Sequence, residues 1–517
     1  MSLARVGLVS LGCPKNLVDG EAMLGLLAAA GYEATPDAGA ADAIIVNTCG
    51  FIDSAKRESI SAILDMAAKK GSGSCRALIV TGCLAERYRS EFAEQFPEVD
   101  FVLGVSECGG IVEAVRESLA RAGWEGGGRR PAAASGLPCG GSDPRFSHLA
   151  ARGAVTTGRG YAYLKIADGC DNRCSYCVIP SLRGAYADRP IADIVGEAQR
   201  IADRCGQPME FVLVAQDTTR YGAGWQCPDG AAQSAAAQYA AAQSAVAQAA
   251  AAQSAVAQSI ASPAAPRGAV AAAAGGGRLP DLMRALSRAD GVRWIRVMYC
   301  YPSLVDERLA AEIAENPKAL HYLDIPIQHA SDAVLRRMGR RYGRGQLEAM
   351  VAALRRAVPD IVLRTTVMAG FPGETEAEFG ELLGFLAQAR FDRLGAFAYS
   401  REDGTPAAIM PGQLPGRVSR ARRAMVLALQ APITAEKDAL RVGQEHWAVV
   451  DGLSGKHGRG GCSGCSGLEY LARTYAEAPE VDGAIRLRSD APLAVGAFTR
   501  VRISRVSVHG LMANVLY

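Results

Sequence analysis

Long apolar runs are missing from this sequence of 517 residues. It has no stretch of about eighteen uncharged apolar residues, the length that indicates a membrane-spanning helix. The opening stretch "MSLARVGLVSLGC" has one short apolar run and no signal-peptide core, so we expect a cytoplasmic protein without a membrane partner. The formal net charge is only +3, which indicates no large basic field of the kind that nucleic-acid binding often produces.

A disulfide framework is not expected either. The chain carries 14 cysteines, and in a reducing compartment cysteines more often serve as metal ligands or reactive thiols. Lone cysteines are also common as small buried residues. We expect four cysteines to be small buried residues of this kind, namely Cys75, Cys108, Cys205 and Cys300. The chain length itself suits several domains rather than one.

Three early cysteines end similar segments. The runs "RVGLVSLGC", "AIIVNTCG" and "ALIVTGC" are short, apolar and β-branched, and amphipathic helical patterns separate them. This alternation predicts a doubly wound parallel sheet over residues 1–123, which a fourth run, "VDFVLGV", continues. Because the carboxyl ends of parallel strands share one edge, we predict a three-thiolate site, with chance core cysteines as the alternative. The cysteines concerned are Cys13, Cys49 and Cys83.

The middle of the chain repeats a strand and helix alternation. Residues 124–158 are rich in Gly, Pro and Ala and are predicted to be a linker. Over residues 159–415, six candidate strands alternate with helical patterns, which predicts an incomplete (β/α)6 barrel. An Ala/Gln/Ser repeat at 223–278 interrupts this pattern. Since the repeat has no single apolar face, we assign it neither a core nor a catalytic role.

The last part of the chain changes character. Residues 416–436 are predicted to form a connecting helix, and residues 437–517 alternate Val, Ile and Thr as in a small antiparallel β-barrel. This final segment has ten Lys and Arg against eight Asp and Glu, which is weak evidence for an RNA partner. Cys462 and Cys465 have a zinc-like spacing, but no second pair is close by, so we favour a flexible Gly/Ser loop.

The stretch "GCDNRCSYC" contains three cysteines, and no fourth ligand follows nearby. The stretch starts at the end of the first barrel strand, where barrels of this kind carry their chemistry. Zinc sites usually pair two Cys-x-x-Cys units, and no such partner is near. An iron–sulfur cluster with only three protein ligands keeps one iron open for another molecule. We therefore predict a cluster on Cys170, Cys174 and Cys177.

The spacing Cys-x3-Cys-x2-Cys, the aromatic residue before the last cysteine and the six-unit barrel together resemble the radical S-adenosylmethionine superfamily. With a three-cysteine N-terminal domain and a small C-terminal β-domain, of the type called TRAM, the chain looks like a methylthiotransferase. The segments "SLGCPKNLVDGE", "YLKIADGCDNRCSYCVIPSLRG", "QDTTRYG", "LDIPIQHASD" and "GFPGETEAEF" are similar to the branch of that family that modifies a ribosomal protein. They are less similar to the transfer-RNA branch.

The resemblance implies two 4Fe-4S clusters and two molecules of S-adenosylmethionine for each product. Cys13, Cys49 and Cys83 would hold an auxiliary cluster that carries the sulfur or methylthio group, and the other triad would hold the radical-generating cluster. The implied substrate is the β-carbon of an aspartate in the twelfth protein of the small ribosomal subunit. That C–H bond is far too weakly acidic for side-chain bases, so no acid–base catalyst is predicted. A sulfur donor and a reductant are further implied partners.

Four residues are candidates for cofactor binding. Tyr176 either packs on the adenine or forms a wall of the cluster pocket. Gly370, Gly373 and Glu374 follow the fifth barrel strand, where the backbone can approach a cofactor, with ordinary turn chemistry as the alternative. Further candidates are Gln216, Asp217, Gln328 and His329 for the substrate cavity, where the histidine has a hydrogen-bonded structural role as its alternative. Arg183 is a candidate for meeting an acidic substrate, with a surface salt bridge as the alternative.

Two other functions stay open at this point. Methylthiolation of an adenosine in transfer RNA predicts a basic C-terminal face, and the charge count does not indicate one, so RNA binding by that domain is open but not indicated. An iron–sulfur protein for electron transfer or binding needs no barrel cavity and no open iron. Two triads that both lack a fourth ligand argue against this non-enzymatic alternative.

Overall fold

The computed structural model describes residues 3–124, 143–153, 155–158, 160–222, 278–454, 468–507 and 510–517. Most of the predicted linker, nearly all of the Ala/Gln/Ser repeat, and both Cys462 and Cys465 lie outside these ranges. Within them, no helix combines the length and the apolar character that crossing a membrane requires.

A five-stranded parallel sheet forms the N-terminal domain, with the strand order β2-β1-β3-β4-β5. Its central strands are β-branched and buried, and helices cover both faces, so the predicted doubly wound fold is confirmed. The strands are β1 Arg5–Ser10, β2 Glu33–Thr35, β3 Ala43–Thr48, β4 Ala77–Gly82 and β5 Phe101–Val102. The helices are α1 Pro14–Ala29, α2 Asp53–Ser72, α3 Cys83–Arg87, α4 Arg89–Gln95 and α5 Ile111–Arg121.

The central domain is a curled sheet of six parallel strands in the order β13-β12-β11-β10-β9-β6, which stays open between its first and last strands. The predicted incomplete barrel is therefore confirmed. Its strands are β6 Tyr161–Lys165, β9 Met209–Val214, β10 Val292–Val297, β11 Ala319–Asp324, β12 Val362–Ala369 and β13 Arg393–Ala398, and a small hairpin adds β7 Ala167–Asp168 and β8 Ala187–Asp188. The helices are α6 Ile179–Arg183, α7 Ile191–Cys205, α8 Leu279–Ser287, α9 Glu307–Glu315, α10 Asp332–Arg337, α11 Arg344–Ala357 and α12 Glu376–Ala389.

A long helix leads from the central domain to a closed five-stranded barrel with the order β14-β15-β16-β18-β17. The predicted small β-barrel is confirmed, and its pairings are antiparallel except that β16 and β18 run parallel. The helix is α13 Gly416–Ala439, and the strands are β14 Glu445–Leu453, β15 Leu468–Arg473, β16 Ile485–Ser489, β17 Phe498–Ser507 and β18 Gly510–Val515.

The three units meet inside the central barrel. Val18 of α1 and Val449 of β14 belong to the same buried cluster as Tyr163 and Tyr322, whose side chains fill the barrel. Several charges buried in this contact are paired, which offsets the loss of hydration. Glu210 of β9, for example, is bound by arginines from β10 and β15. The N-terminal and C-terminal units thus both pack against one core.

Candidate functional site

The three N-terminal cysteines lie at one edge of the parallel sheet. Cys13 follows β1 and precedes α1, Cys49 follows β3, and Cys83 is the first residue of α3 directly after β4. The strands β1, β3 and β4 are neighbours, so their carboxyl ends bring the cysteines together as the sequence pattern predicted. Cys49 and Cys83 are buried and Cys13 is half-buried. This edge faces the central barrel.

Glycines make the close approach of these three segments feasible. Gly12 has φ +89°, and a Cβ on it would lie 2.6 Å from the Cβ of Cys49. Gly82 has φ +94°, and a Cβ there would lie 2.4 Å from the carbonyl oxygen of Thr48. Any other residue at these positions would push the cysteine segments apart. The sequence signal, a glycine next to each cysteine in "LGC", "TCG" and "TGC", was not used in the prediction.

The surroundings of the sulfurs are cationic. Burial raises the pKa of Cys13, whereas the positive charges of Lys15 and Arg183 lower it. The net pKa of Cys13 lies below its ordinary value. For Cys49 burial prevails and raises the pKa to about 12, and burial also raises that of Cys83. Arg183 donates from Nη2 to Cys83 Sγ at 3.7 Å. Positive charge of this kind stabilises thiolate ligands, so the donor set fits an iron–sulfur cluster.

No three His, Cys, Asp or Glu side chains among the described residues converge closely enough to hold a single metal ion. A 4Fe-4S cluster takes one thiolate on each ligated iron, so its cysteines stand further apart than the ligands of one ion. The lack of a mononuclear metal site among the described residues is therefore compatible with cluster binding.

The second cysteine triad lies on the loop between β7 and β8, at the carboxyl end of the first barrel strand. The amide of Cys170 donates to Gly184 at 3.1 Å, and the amide of Cys177 donates to Cys174 at 3.1 Å. The intervening Ser175 is fixed from two sides, through its amide to Met338 at 3.0 Å and through its carbonyl to the Ala407 amide at 2.8 Å. The loop is therefore held by the ends of other barrel units.

All three of these thiols are half-buried. Burial raises the pKa of Cys177 to about 12 and also raises that of Cys170. In the protein without iron, Cys170 and Cys177 therefore favour the neutral thiol, and metal binding would have to displace their protons.

Tyr176 is part of an aromatic and cationic group beside this loop. Its ring meets Phe371 edge-on, with the ring centroids 6.5 Å apart. The guanidinium of Arg340 lies 6.0 Å from the Tyr176 ring, 4.8 Å from Tyr301 and 5.7 Å from Tyr342. Tyr176 thus packs beside its cysteine loop, and both roles considered for it, packing on the adenine and lining the cluster pocket, stay predictions. Sequence reasoning missed Arg340, because its aromatic partners come from separate barrel units.

Gly370, Gly373 and Glu374 form a tight turn after β12. Gly370 has φ +81°, and a Cβ on it would lie 2.1 Å from Oγ of Ser419 in α13. The carboxylate of Glu374 accepts hydrogen bonds from the amides of Gly370 at 2.7 Å and Phe371 at 3.0 Å. Arg422 binds its other oxygen at 2.9 Å. These contacts build the turn, and contact of the turn with a cofactor stays a prediction.

The other candidate residues at strand ends differ in their hydrogen bonds. Gln216 keeps both polar atoms of its amide buried, with no partner among the described residues. Asp217 is satisfied, because it accepts from Asn172 at 2.9 Å and from Thr219 at 2.8 Å. His329 is buried and accepts from the Ser331 amide at 3.0 Å, and burial lowers its pKa to about 3. His329 is therefore neutral in the free protein, and its Nε2 is buried without a hydrogen-bond partner among the described residues.

Arg183 is neither on the surface nor open to an acidic substrate, which corrects both interpretations made from the sequence. Its side chain is 1% exposed and pairs with Asp168 at 2.9 Å and Asp19 at 3.4 Å. It also donates to Asn16 Oδ1 at 2.6 Å. Because Asp19 and Asn16 belong to α1 while Asp168 ends β7, Arg183 ties the N-terminal domain to the barrel.

The two triads approach each other at this junction. Val178, directly after Cys177, and Leu182 pack with Cys83 and Val105 in one buried cluster. Arg183, six residues after the last cysteine of the second triad, reaches the last cysteine of the first. The arrangement can therefore bring two thiolate-bound groups to a shared space between the domains.

Three family models match the chain in the same order as these units. The model of the uncharacterized protein family UPF0004 matches residues 5–104, that of the radical SAM superfamily matches residues 164–386, and that of the TRAM domain matches residues 442–516. An iron–sulfur cluster and S-adenosylmethionine are the cofactors that membership of the radical SAM superfamily brings with it.

Curated relatives match along almost the whole chain. The ribosomal protein uS12 methylthiotransferase RimO of Desulforudis audaxviator is 42% identical over 99% of this chain and 97% of its own length. The corresponding proteins of Geobacter sulfurreducens and Acetivibrio thermocellus are 40% and 39% identical, each over 99% of this chain and 98% of their own length. Among solved structures, the radical SAM methyltransferase TsrM of Kitasatospora setae aligns with a TM-score of 0.49 and 16% identity, covering 79% of this chain and 77% of that one. The chain belongs to the RimO family of radical S-adenosylmethionine methylthiotransferases.

Proposed function

We propose that this enzyme adds a methylthio group to the β-carbon of an aspartate in ribosomal protein uS12. The relatives that match along the whole chain are named for that protein substrate. None of these three names refers to transfer RNA, so the adenosine reaction and the non-enzymatic alternative are not favoured. We propose a cytoplasmic site of action, together with a sulfur donor and a reductant as further partners. The TRAM domain fits RNA binding, which is compatible with a substrate that is free or already in a ribosome.

We further propose that two 4Fe-4S clusters are held, one by Cys13, Cys49 and Cys83 and the other by the triad on the β7–β8 loop. When bound, such groups supply the cleavage of S-adenosylmethionine to a radical and the carrying of the sulfur to be transferred. The observation that supports this proposal is the buried cluster that Val178, next to Cys177, shares with Cys83. We propose the domain limits 1–123, 159–415 and 437–517, within which the three family matches fall.

The side chains of this protein would bind and orient the substrate and the cofactors, and would exclude water from the site. The reacting C–H bond offers no acidic proton, so general acids and bases have no part in breaking it. Tyr176, packed against Phe371, shields one side of its cysteine loop. Gly370 and Gly373 permit the backbone to approach a bound cofactor, and Glu374 fixes that turn through the Gly370 and Phe371 amides. Gln216 offers a free amide for a ligand.

The test compares cysteine variants in anaerobic turnover with uS12. Cys170→Ala is expected to abolish both deoxyadenosine formation and methylthio transfer. Cys13→Ala is expected to abolish methylthio transfer while retaining deoxyadenosine formation, because it leaves the other triad intact. Cys75→Ala serves as the matched control, since Cys75 is a buried cysteine on the opposite edge of the sheet. If Cys13→Ala transfers the methylthio group at the wild-type rate, the assignment of the first triad is wrong.

A further inference from the structure

Lys15 is a buried ammonium group that pairs with no carboxylate among the described residues. It lies in the first turn of α1, two residues after Cys13, and only 7% of its surface is exposed. Its Nζ stands 3.8 Å from the centroid of the Tyr299 ring. Among the described residues, no carboxylate or hydrogen-bond acceptor pairs with this Nζ. A buried charge in this position is costly unless something compensates it.

The acidic groups of the junction are already engaged elsewhere. Asp168, the one carboxylate with a notable electrostatic effect on Lys15, binds Lys165 at 3.0 Å and Arg183 at 2.9 Å. Asp324, at the end of β11, binds Arg364 at 2.7 Å and the amide of Tyr299. Arg183 repels Lys15 rather than relieving it. No carboxylate among the described residues is therefore left to pair with Lys15, whose anionic neighbours are the sulfurs of Cys13 and Cys83.

Lys15 lies at the carboxyl end of the central barrel, against Tyr299. Tyr299 follows β10 at the carboxyl end of the barrel, the end at which barrels of this class carry out their chemistry. The backbone of Tyr299 has φ +63°, an unfavourable value for a bulky residue that structures keep mainly at functional sites. Lys15 thus lies between the first cysteine triad and the mouth of the barrel, held above a strained aromatic residue.

We propose that Lys15 binds the carboxylate of the substrate aspartate and determines specificity for it. This inference rests on the proposed function. The carboxylate is bonded directly to the β-carbon, so an ammonium that holds it also orients the C–H bond that reacts. Its position next to Cys13 directs that carbon towards the first triad. An asparagine side chain or a nucleobase has no negative charge, and a site built for a charged partner rejects such neutral groups.

The test measures binding of uS12 to the full-length, cluster-loaded enzyme without reductant, so that no turnover occurs. Two forms of uS12 are compared, one with the modified aspartate and one with asparagine in its place. The enzyme forms are wild type, Lys15→Met, Lys15→Arg and the control Lys70→Met. Lys70 is a partly exposed lysine paired with Asp100, on the sheet edge away from the cysteines. Iron content is measured for every form, and Lys15→Arg retains a cation if Lys15→Met loads poorly.

Wild type is expected to bind the aspartate form about tenfold or more tightly than the asparagine form, as a charged hydrogen bond implies. Lys15→Met is expected to bring this ratio close to one, Lys15→Arg to keep part of it, and Lys70→Met to keep it fully. A ratio that survives in Lys15→Met overturns the inference. So does a loss of S-adenosylmethionine binding with an unchanged ratio, because it would assign Lys15 to the cofactor's carboxylate.

The two proposals fail in different ways. If wild type does not methylthiolate the aspartate of uS12, the proposed function is wrong. If wild type does so while Lys15→Met keeps its preference for aspartate over asparagine, only the role of Lys15 is wrong.

Discussion

Replacement of Arg183 by Met is expected to loosen the contact between the N-terminal domain and the barrel. Met has a similar length but no charge, so Asp19 and Asp168 would lose a shared buried cation and keep Lys165 between them. Breaking a buried charge network by removal of one partner typically costs about 3–5 kcal/mol. Since Asp19 lies on α1 and Asp168 at the end of β7, this loss should fall on the junction.

Hydrogen exchange with mass spectrometry on the full chain measures this effect as a local opening free energy. Peptides that cover α1 and the β7–β8 loop should open more easily in Arg183→Met by about 3–5 kcal/mol. Arg183→Lys should lie in between, since lysine offers a point charge in place of a planar fork. The control is Arg344→Met, which breaks an exposed pair with Glu348 that is worth about 0–1 kcal/mol. A change at the junction no larger than the control's would refute the reasoning.

Three further predictions follow from single positions. Gly82→Ala should lower the amount of iron bound by the first triad, because the added Cβ meets Thr48. The control Gly206→Ala should not lower it, because nothing lies within 4 Å of the added Cβ. Iron analysis of both variants measures this difference. Burial lowers the pKa of His329 to about 3 from an unfolded value of 6.5. The stabilising effect of the neutral ring is therefore present above about pH 6.5 and is lost as the pH falls towards 3. In His329→Gln the urea midpoint of unfolding should depend less on pH between these two values. Glu402→Gln should speed hydrogen exchange at the start of α2. The reason is that Glu402 accepts a hydrogen bond from the Asp53 amide at 2.9 Å and pairs with Lys56 at 3.0 Å. Unchanged exchange at the start of α2 would contradict this prediction.

The regular elements could be predicted because their signals are local. The barrel strands and the cysteine-ended strands β1, β3 and β4 are apolar runs with β-branched residues, and that pattern suffices to assign a buried parallel strand. Strand β2, Glu33–Thr35, was missed because it is a short, polar edge strand without an apolar run. The parallel pairing of β16 with β18 was also missed, since alternation does not reveal which strands become neighbours when a barrel closes.

The electrostatic part of the site could not be predicted, because its partners are distant in the sequence. Arg183 meets Asn16, a residue 167 positions away, and from the sequence it looked like a surface residue. Lys15 was not predicted as a site residue, because only the fold brings the ring of Tyr299 next to its ammonium group. The cysteines were found because their spacing is a local motif, while the charges around them depend on how two domains meet.

The most direct test of the account is anaerobic turnover of the cluster-reconstituted enzyme with S-adenosylmethionine, reductant and sulfide. Ribosomal protein uS12 and unmodified transfer RNA are offered in parallel, and mass spectrometry detects methylthio groups on either one. The account predicts methylthiolation of one aspartate of uS12, deoxyadenosine in the same reaction, and unmodified RNA. Modification of the RNA with unmodified uS12, or no deoxyadenosine from fully loaded protein, would contradict it.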